Sequence, residues 1–234
     1  MTIVISNEVS EPFTISITVT EDHERETLEK DILETINTSA HAGQKDEGIQ
    51  LWLENAKPSD TPLLKNVGFF PYRDVVQMRC ALPADETELN TRSFVVGVDE
   101  DAFIALNNRA FAWHPEQGNL NYSQLEELEG ETWFNPEGFL LHEIDGRLAG
   151  FCWTKIHQDH KPLLGEIYVI AVDPDFHGQN LGKPMTLAGL NYLSNQGIDI
   201  GMLYVESDNV PALRVYEKLG FAHSLTNRAF RCSR

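Results

Sequence analysis

The sequence is poor in basic residues, in cysteine and in long apolar runs. Its 234 residues contain 18 Lys and Arg against 36 Asp and Glu, which gives a formal net charge of −18 at pH 7. This balance argues against nucleic-acid binding, because a phosphate backbone needs a basic surface. No run approaches the roughly 18 apolar residues of a membrane span, and residues 1–11 lack the basic start and apolar centre of a secretory signal. We therefore expect a cytoplasmic protein, a monomer, that binds neither membrane nor nucleic acid.

Metal-binding patterns are also lacking. The three cysteines, Cys80, Cys152 and Cys232, are scattered and form no CxxC pair, so we expect reduced, buried thiols. His157 and His160 are close in sequence, but no further acidic or cysteine residues at metal-ligand spacing complete a zinc site. We expect no metal.

An internal repeat is present. At an offset of 152 residues, Leu51, Glu54, Gly68, Phe69, Arg79 and Cys80 align with Leu203, Glu206, Gly220, Phe221, Arg231 and Cys232. Both copies read as strand, short helix, Gly-Phe turn and strand, which predicts a tandem duplication whose first copy has lost its beginning. A chance coincidence of the two Gly-Phe pairs is the alternative.

Hydrophobic periodicity predicts an α/β fold. We predict a shortened domain over 1–82, a linker over 83–92 and a second domain over 93–234. Strands are expected over 13–19, 49–53, 138–143, 147–157, 166–172, 201–206 and 223–232. Helices are expected over 99–111, 122–129, 182–196 and 210–219, with a helix-favouring run over 21–39 and a loop over 40–46. A hairpin across Asp145-Gly146 followed by βαβα indicates a mixed sheet with helices on its faces.

The segment that follows the strand 168–172 has the features of an anion-binding turn. The strand ends at Asp173-Pro174, and a turn from His177 to Gly182 leads directly into a helix. Glycines allow close approach of the backbone to a phosphate, and the N-terminus of a helix adds a partial positive charge. Alone this pattern is weak evidence, because many α/β proteins share it.

Residues 208–221 strengthen that interpretation. Their Asn, Ala, Tyr and Gly-Phe spacing resembles the last helix and turn of the GNAT superfamily of N-acetyltransferases. In that superfamily the turn has the pattern (Arg/Gln)-x-x-Gly-x-(Gly/Ala), and its main-chain amides bind the CoA pyrophosphate. Here His177 stands at the Arg/Gln position and Asn180 at the first Gly, while Gly182 is kept at the last position. Asn tolerates a left-handed backbone, so Asn180 is expected to substitute for glycine.

Further motifs resemble the mycothiol synthases. They are Asn108 to Gly118, Trp153-Thr154-Lys155, Gly165 to Val169 and Leu203 to Asn209. This resemblance implies a GNAT fold, a mixed and mostly antiparallel sheet flanked by helices, in a tandem arrangement whose C-terminal copy is active. It also implies acetyl-CoA as the donor and desacetylmycothiol, a cysteinyl glucosaminyl-inositol, as the acceptor.

Residue roles follow from the same resemblance. Glu166 would serve the substrate amine as base, and Tyr216 would give a proton to the leaving thiolate; their alternatives are a solvent-facing carboxylate and a core tyrosine. Glu116, Lys155, Glu166 and Tyr204 would bind the acceptor. Acetyl-CoA would contact Ile170, Ala171 and Val172 in the strand, His177, Gly178, Gln179, Asn180, Leu181, Gly182 and Lys183 in the turn, and Asn209, Val210, Pro211, Ala212, Leu213 and Arg214 at the last helix.

The first copy is expected to be inactive. Residues 20–26 contain four carboxylates and no glycine where the turn would lie, and the position equivalent to Tyr216 is Leu64. Two other functions stay open. One is acetylation of a protein N-terminus or another small amine, and the other is a catalytically silent ligand-binding module.

Overall fold

The computed structural model describes residues 3–6, 13–20, 23–39, 48–114 and 117–232. The loop predicted over 40–46 and the predicted substrate residue Glu116 lie outside these ranges. The chain forms two compact units: residues 1–77, 205–209 and 224–234 in the first, and residues 78–204 and 210–223 in the second. The predicted domain boundary at 83–92 stays a prediction.

The first unit is built on strands around a short apolar core. It contains β1 (Ile3–Ser6), β2 (Phe13–Val19), α1 (Leu28–Ser39), β3 (Gly48–Leu53), α2 (Asp60–Asn66) and the start of β4 (Phe70–Ala81). β2 runs antiparallel to β1 and parallel to β3, and residues 228–232 pair antiparallel with β3. Alternate apolar residues of β2 and β3 face the helices, and the buried core includes Ile17, Leu28, Ile32, Leu51, Leu64, Phe69 and Phe230.

The second unit carries the larger part of the predicted site. It contains β5 (Arg92–Ser93), α3 (Glu100–Ala110), α4 (Tyr122–Glu129), β6 (Phe139–Ile144), β7 (Arg147–His157), β8 (Leu164–Val172), α5 (Gly182–Asn195), most of β9 (Ile200–Glu206), α6 (Val210–Lys218) and the start of β10 (Ala222–Cys232). Its strand order is β9-β8-β7-β6-β5, with β8 and β9 parallel and the other pairs antiparallel. The expected α/β fold with a mixed sheet is confirmed.

Local sequence explains several of these boundaries. Asp145 and Gly146 have φ of 52° and 75°, as a tight turn between two twisted strands requires. Asn121 and Gln124 form a reciprocal capping box that begins α4. In the core, the Phe139 ring stacks on Trp153 with centroids 4.4 Å apart, so aromatic packing fixes β6 against β7.

The repeat is visible as the same local structure at two places. Gly68 and Gly220 have φ of 89° and 85°. Phe69 N donates to Leu64 O at 2.9 Å, and Phe221 N donates to Tyr216 O at 3.0 Å. The order β3-α2-β4 recurs as β9-α6-β10, so the predicted repeat is confirmed.

All three cysteines are free thiols, as predicted. Cys80 and Cys152 are buried, but the prediction of burial is wrong for Cys232, which is half-buried. Burial raises the pKa of Cys80 to about 11 and that of Cys152 to about 12. Both are therefore neutral at physiological pH. Of the described helices, none combines the length and the apolar character that crossing a bilayer requires.

Candidate active site

Strand β8 has an edge that β9 leaves uncovered. The parallel pairing of β8 with β9 comprises four residue pairs, the last being Ile167 opposite Leu203. β8 continues to Val172, so the backbone edge of residues 168–172 is available to an extended ligand, which can bind in the manner of an added strand. On the other side β8 remains paired with β7, where a register shift places Tyr168 in a bulge. Ile170, Ala171 and Val172, predicted to bind acetyl-CoA, lie on this edge.

The turn after β8 has the conformation that the sequence predicts. Gly178 and Asn180 have φ of 83° and 59°, so Asn180 occupies the left-handed region expected of a glycine substitute. α5 begins at Gly182, and its N-cap is Leu181, whose apolar side chain accepts no hydrogen bond from the helix amides. Residues 177–180 and Lys183 are exposed. The turn thus presents backbone amides at a helix N-terminus to solvent, which is a favourable site for a phosphate group.

His177 has a structural part in this turn. Its Nε2 lies 3.1 Å from the carbonyl oxygen of Val172, so the ring bridges the end of β8 and the turn. This contact gives His177 a structural role at a position where the superfamily pattern has Arg or Gln.

A buried carboxylate anchors the same turn. Asp173 is fully buried; it accepts hydrogen bonds from Arg109 and Arg147 and one at 3.0 Å from the Asp175 amide. Burial alone would raise the pKa of Asp173, but the Arg109 hydrogen bond, the Asp175 amide and the two guanidinium charges outweigh it and lower the pKa. Sequence reasoning missed this cluster, whose only signal was an Asp-Pro step at the end of the strand.

We expect Asp173→Asn to destabilise the protein by about 2–3 kcal/mol, because a buried charge-assisted network loses its anion. For a chain of this size the unfolding midpoint should fall by about 5–10 °C in thermal denaturation followed by circular dichroism. The matched control is Asp175→Asn, since Asp175 also binds Arg147 but is 65% exposed.

The effect should depend on pH. A carboxyl with a lowered pKa stabilises the fold above its unfolded pKa, about 3.9, and loses that contribution as pH falls through the folded pKa. The difference between the parent protein and Asp173→Asn should therefore be full at pH 7 and shrink below about pH 4. If the parent protein and Asp173→Asn unfolded at the same temperature at pH 7, the anchoring role of Asp173 would be contradicted.

Glu166 is buried on one face of β8. It lies opposite Lys155 in the β7–β8 register, it is only 7% exposed, and its Oε2 lies 2.7 Å from Nε2 of His157. The alternative of a solvent-facing carboxylate is wrong. Lys155 is half-buried, and its Nζ sits 4.3 Å from the ring centroid of Trp133 and 5.4 Å from that of Tyr168. A carboxylate and an ammonium are thus held at one face of the sheet, the ammonium against aromatic rings.

The same face borders a cavity of about 400 Å³. Apolar floor residues include Phe103 and Trp153, and the polar lining includes Asn107, Gln117, Gln124, Glu127, Glu131 and Tyr168. Burial raises the pKa of Tyr168, and the nearby carboxylates of Glu166 and Glu131 add to the rise. A volume and lining of this kind suit a small polar molecule with a cationic group. Sequence reasoning missed the cavity, because its walls come from α3, α4, β7 and β8.

Tyr216 lies in α6 and is only 9% exposed. Burial, with a smaller contribution from Cys152, raises its pKa to about 12. The phenol is therefore protonated throughout the physiological range, as a proton donor must be.

The other predicted residues are distributed over both units. Val210 to Arg214 form the first turns of α6, whereas Asn209 belongs to the first unit, where its N–H donates to Glu206 O at 3.0 Å. Tyr204 belongs to the second unit and is 42% exposed. The structure thus brings together Lys155, Glu166 and the segment 170–183 within one unit.

Comparisons with known proteins agree with this geometry. The sequence profile of the acetyltransferase (GNAT) family matches residues 103–221. A mycothiol acetyltransferase of Acidothermus cellulolyticus is 40% identical over 201 residues, covering 78% of this chain and 61% of that protein. One from Kocuria rhizophila is 36% identical over 237 residues, covering 94% and 75%. The chain spans less than two thirds of the Acidothermus protein.

Solved structures give the same fold. A GCN5-related N-acetyltransferase from Sphaerobacter thermophilus superposes with a TM-score of 0.71 at 20% identity, covering 94% of this chain and 72% of that one. A tandem GNAT protein from the clavulanic acid biosynthesis pathway gives 0.65 at 15% identity, covering 94% and 74%. The resemblance that the sequence motifs indicate is confirmed. Because the family profile spans every element from α3 to the Gly-Phe turn after α6, this chain belongs to the GNAT family of acetyltransferases.

Proposed function

We propose that the protein transfers the acetyl group of acetyl-CoA to the cysteinyl amine of desacetylmycothiol, giving mycothiol and CoA. The observation that carries this proposal is Glu166, a buried carboxylate in β8 two and three residues before Tyr168 and Val169, which line a cavity with both apolar and polar walls. The sequence identity of 36–40% to proteins named mycothiol acetyltransferase supports the choice of acceptor.

The donor site is proposed along β8 and the turn that follows it. The amides of Gly178 and of residues 180–183 would bind the pyrophosphate, because those of His177 and Gln179 donate to Pro174 O and Phe176 O within the turn. The pantetheine arm would extend along the edge formed by Ile170 to Val172. Val210 to Arg214 would complete the site from the start of α6. The turn contributes backbone dipoles, so a protein with a net charge of −18 can bind an anion locally.

The chemistry is direct attack in a ternary complex. Glu166 accepts a proton from the substrate ammonium, directly or through a water, and the neutral amine attacks the thioester carbonyl. The new C–N bond forms, the C–S bond breaks, and the departing thiolate takes the phenolic proton of Tyr216. The nitrogen loses its second proton as the amide forms. Glu166 and Tyr216 return to their starting protonation states by exchange with solvent, so an ammonium and acetyl-CoA give an amide, the CoA thiol and one released proton.

The acceptor site is proposed beside Glu166. A polyhydroxylated ligand needs hydrogen-bonding groups that converge from different elements, and Lys155, Tyr204 and Glu116 are proposed to supply them. The carboxylates Glu127 and Glu131 in the cavity lining favour a cationic amine. The first copy is proposed to be non-catalytic, and the cytoplasmic, monomeric state stays a prediction.

The experiment that tests this function measures acetyl transfer by purified protein. Acetyl-CoA should be converted to CoA with the cysteinyl glucosaminyl-inositol as acceptor, and mass spectrometry should find the acetyl group on nitrogen. A panel of free amines and peptide N-termini tests the second candidate function, which would win if one of them were the better acceptor. Absence of acetyl-CoA binding in calorimetric titration would instead favour the silent binding module and overturn the proposal.

A further inference from the structure

His157 contacts the carboxylate that the mechanism uses as a base. It is the last residue of β7, two positions after Lys155, and therefore lies on the same face of the sheet as Glu166. Its Nε2 is 2.7 Å from Glu166 Oε2, and the two side chains are 20% and 9% exposed. An ionised carboxylate only accepts hydrogen bonds, so Nε2 must carry the proton at this contact.

Lys155 does not take this role. It stands directly opposite Glu166 in the register, but its ammonium lies over the rings of Trp133 and Tyr168. Among the residues that the structure describes, His157 is the side chain that hydrogen-bonds to Glu166. Burial disfavours the charged form of a carboxyl, and a hydrogen bond donated to that form opposes the effect.

We propose that His157 is a positioning residue for acetyl transfer: it holds Oε2 of Glu166 and leaves Oε1 for the amine. This inference rests on the proposed role of Glu166 as the base. A general base must lie within hydrogen-bonding reach of the proton that it accepts, so a contact that fixes one carboxylate oxygen also fixes the place of the other.

Other charged and titratable groups surround the pair. Lys155 lies on β7, Tyr168 lies on β8, and Asp159 and His160 lie in the loop between these strands. The His160 ring meets His157 edge to face with centroids 5.7 Å apart, and Asp159 and His160 are exposed. Donor atoms of His157, Asp159 and His160 lie within 4.8 Å of one another. Their titration must be separated from that of Glu166, and His160 provides the matched control.

The test compares His157→Leu, His157→Gln and His160→Leu by the pH dependence of kcat and of KM for each substrate, in EDTA. His157→Leu should lower kcat about 10- to 100-fold at neutral pH, the loss expected for a hydrogen bond to a charged group. The loss should appear in kcat at every pH tested, with KM for acetyl-CoA unchanged. His157→Gln keeps an N–H donor and should recover most of the activity, and His160→Leu should match the parent profile. Circular dichroism checks that each variant is folded.

Two outcomes would overturn the inference: a His157→Leu profile that superimposes on the parent profile, or equal losses in His157→Leu and His157→Gln. If the parent protein acetylates no amine, the proposed function fails instead. Long-range 1H–15N NMR separates a failure of the positioning role from a failure of the proposed function, because it detects the hydrogen bond in a protein that is not turning over substrate. Nε2 of His157 should be protonated in the parent protein, and its resonance should shift in Glu166→Gln. If Nε2 is unprotonated and its resonance is the same in the parent protein and in Glu166→Gln, the contact is excluded.

Discussion

Replacing Glu166 with glutamine should lower kcat for acetyl transfer by about 10²–10⁴-fold, the usual contribution of a positioned general base. Glutamine has nearly the same shape and can still accept a hydrogen bond through its amide oxygen, but it cannot take up a proton. Because Glu166 lies on the acceptor face of β8 and not in the turn after it, affinity for acetyl-CoA should be unchanged. Steady-state kinetics and calorimetric titration of the same sample measure the two quantities.

The pH dependence makes this prediction specific. Raising the pH deprotonates the amine without help, so the deficit of Glu166→Gln should shrink under alkaline conditions. Glu143→Gln is the matched control, because Glu143 is an exposed carboxylate near the end of β6 in the same unit and pairs with Arg92. A deficit that is constant across the pH range would show that Glu166 binds the acceptor without serving as a base.

Replacing Tyr216 with phenylalanine should lower kcat by about 10²-fold while KM for acetyl-CoA changes little. The phenol is buried and burial raises its pKa to about 12, so it is protonated throughout the physiological range and can donate to a thiolate as the C–S bond breaks. The ring remains in Tyr216→Phe, which preserves its packing against Phe221 at a centroid distance of 5.8 Å. Loss of turnover in a folded variant therefore reports the hydroxyl alone.

Tyr192→Phe is the control for Tyr216. Tyr192 lies in α5 of the same unit, burial raises its pKa, and its hydroxyl accepts a hydrogen bond from Asn135 at 3.0 Å. Its removal should cost some stability but no turnover. If Tyr216→Phe turned over like the parent protein, another group or water would protonate the thiolate. The first copy has Leu64 at the equivalent position and the same turn after it, so we expect it to lack this proton donor.

The sequence predicted those features that depend on neighbours along the chain. The helix over 122–129 has the predicted limits because its capping box is local, and the strand over 147–157 follows a tight Asp-Gly turn. Asn180 was expected to adopt a left-handed backbone, and its φ of 59° agrees, since that preference belongs to the residue type. The repeat could be read for the same reason: strand, helix and Gly-Phe turn each have short-range signals.

Where the local sequence signals are weak, the observed limits of helices and strands differ from the predicted ones. The helix-favouring run over 21–39 yields a helix only from Leu28, whose side chain is fully buried in the first unit. Strand β8 begins at Leu164, two residues earlier than the pattern indicated, because pairing with β7 and β9 extends that far. Tertiary pairing decides where such elements begin.

Contacts within the site were decided only by the tertiary structure. Asp173 meets Arg109, 64 positions away, because α3 packs near the end of β8. Strand register places His157 and Lys155 on the same face as Glu166. Glu166 contacts His157 and not Lys155, because the lysine ammonium lies over aromatic rings. The sequence alone indicated the family, the elements and the left-handed turn after β8, because their signals are local. Register, burial and packing between distant segments determined which side chain contacts Glu166 and which anchors the turn, since those contacts carry no short-range signature.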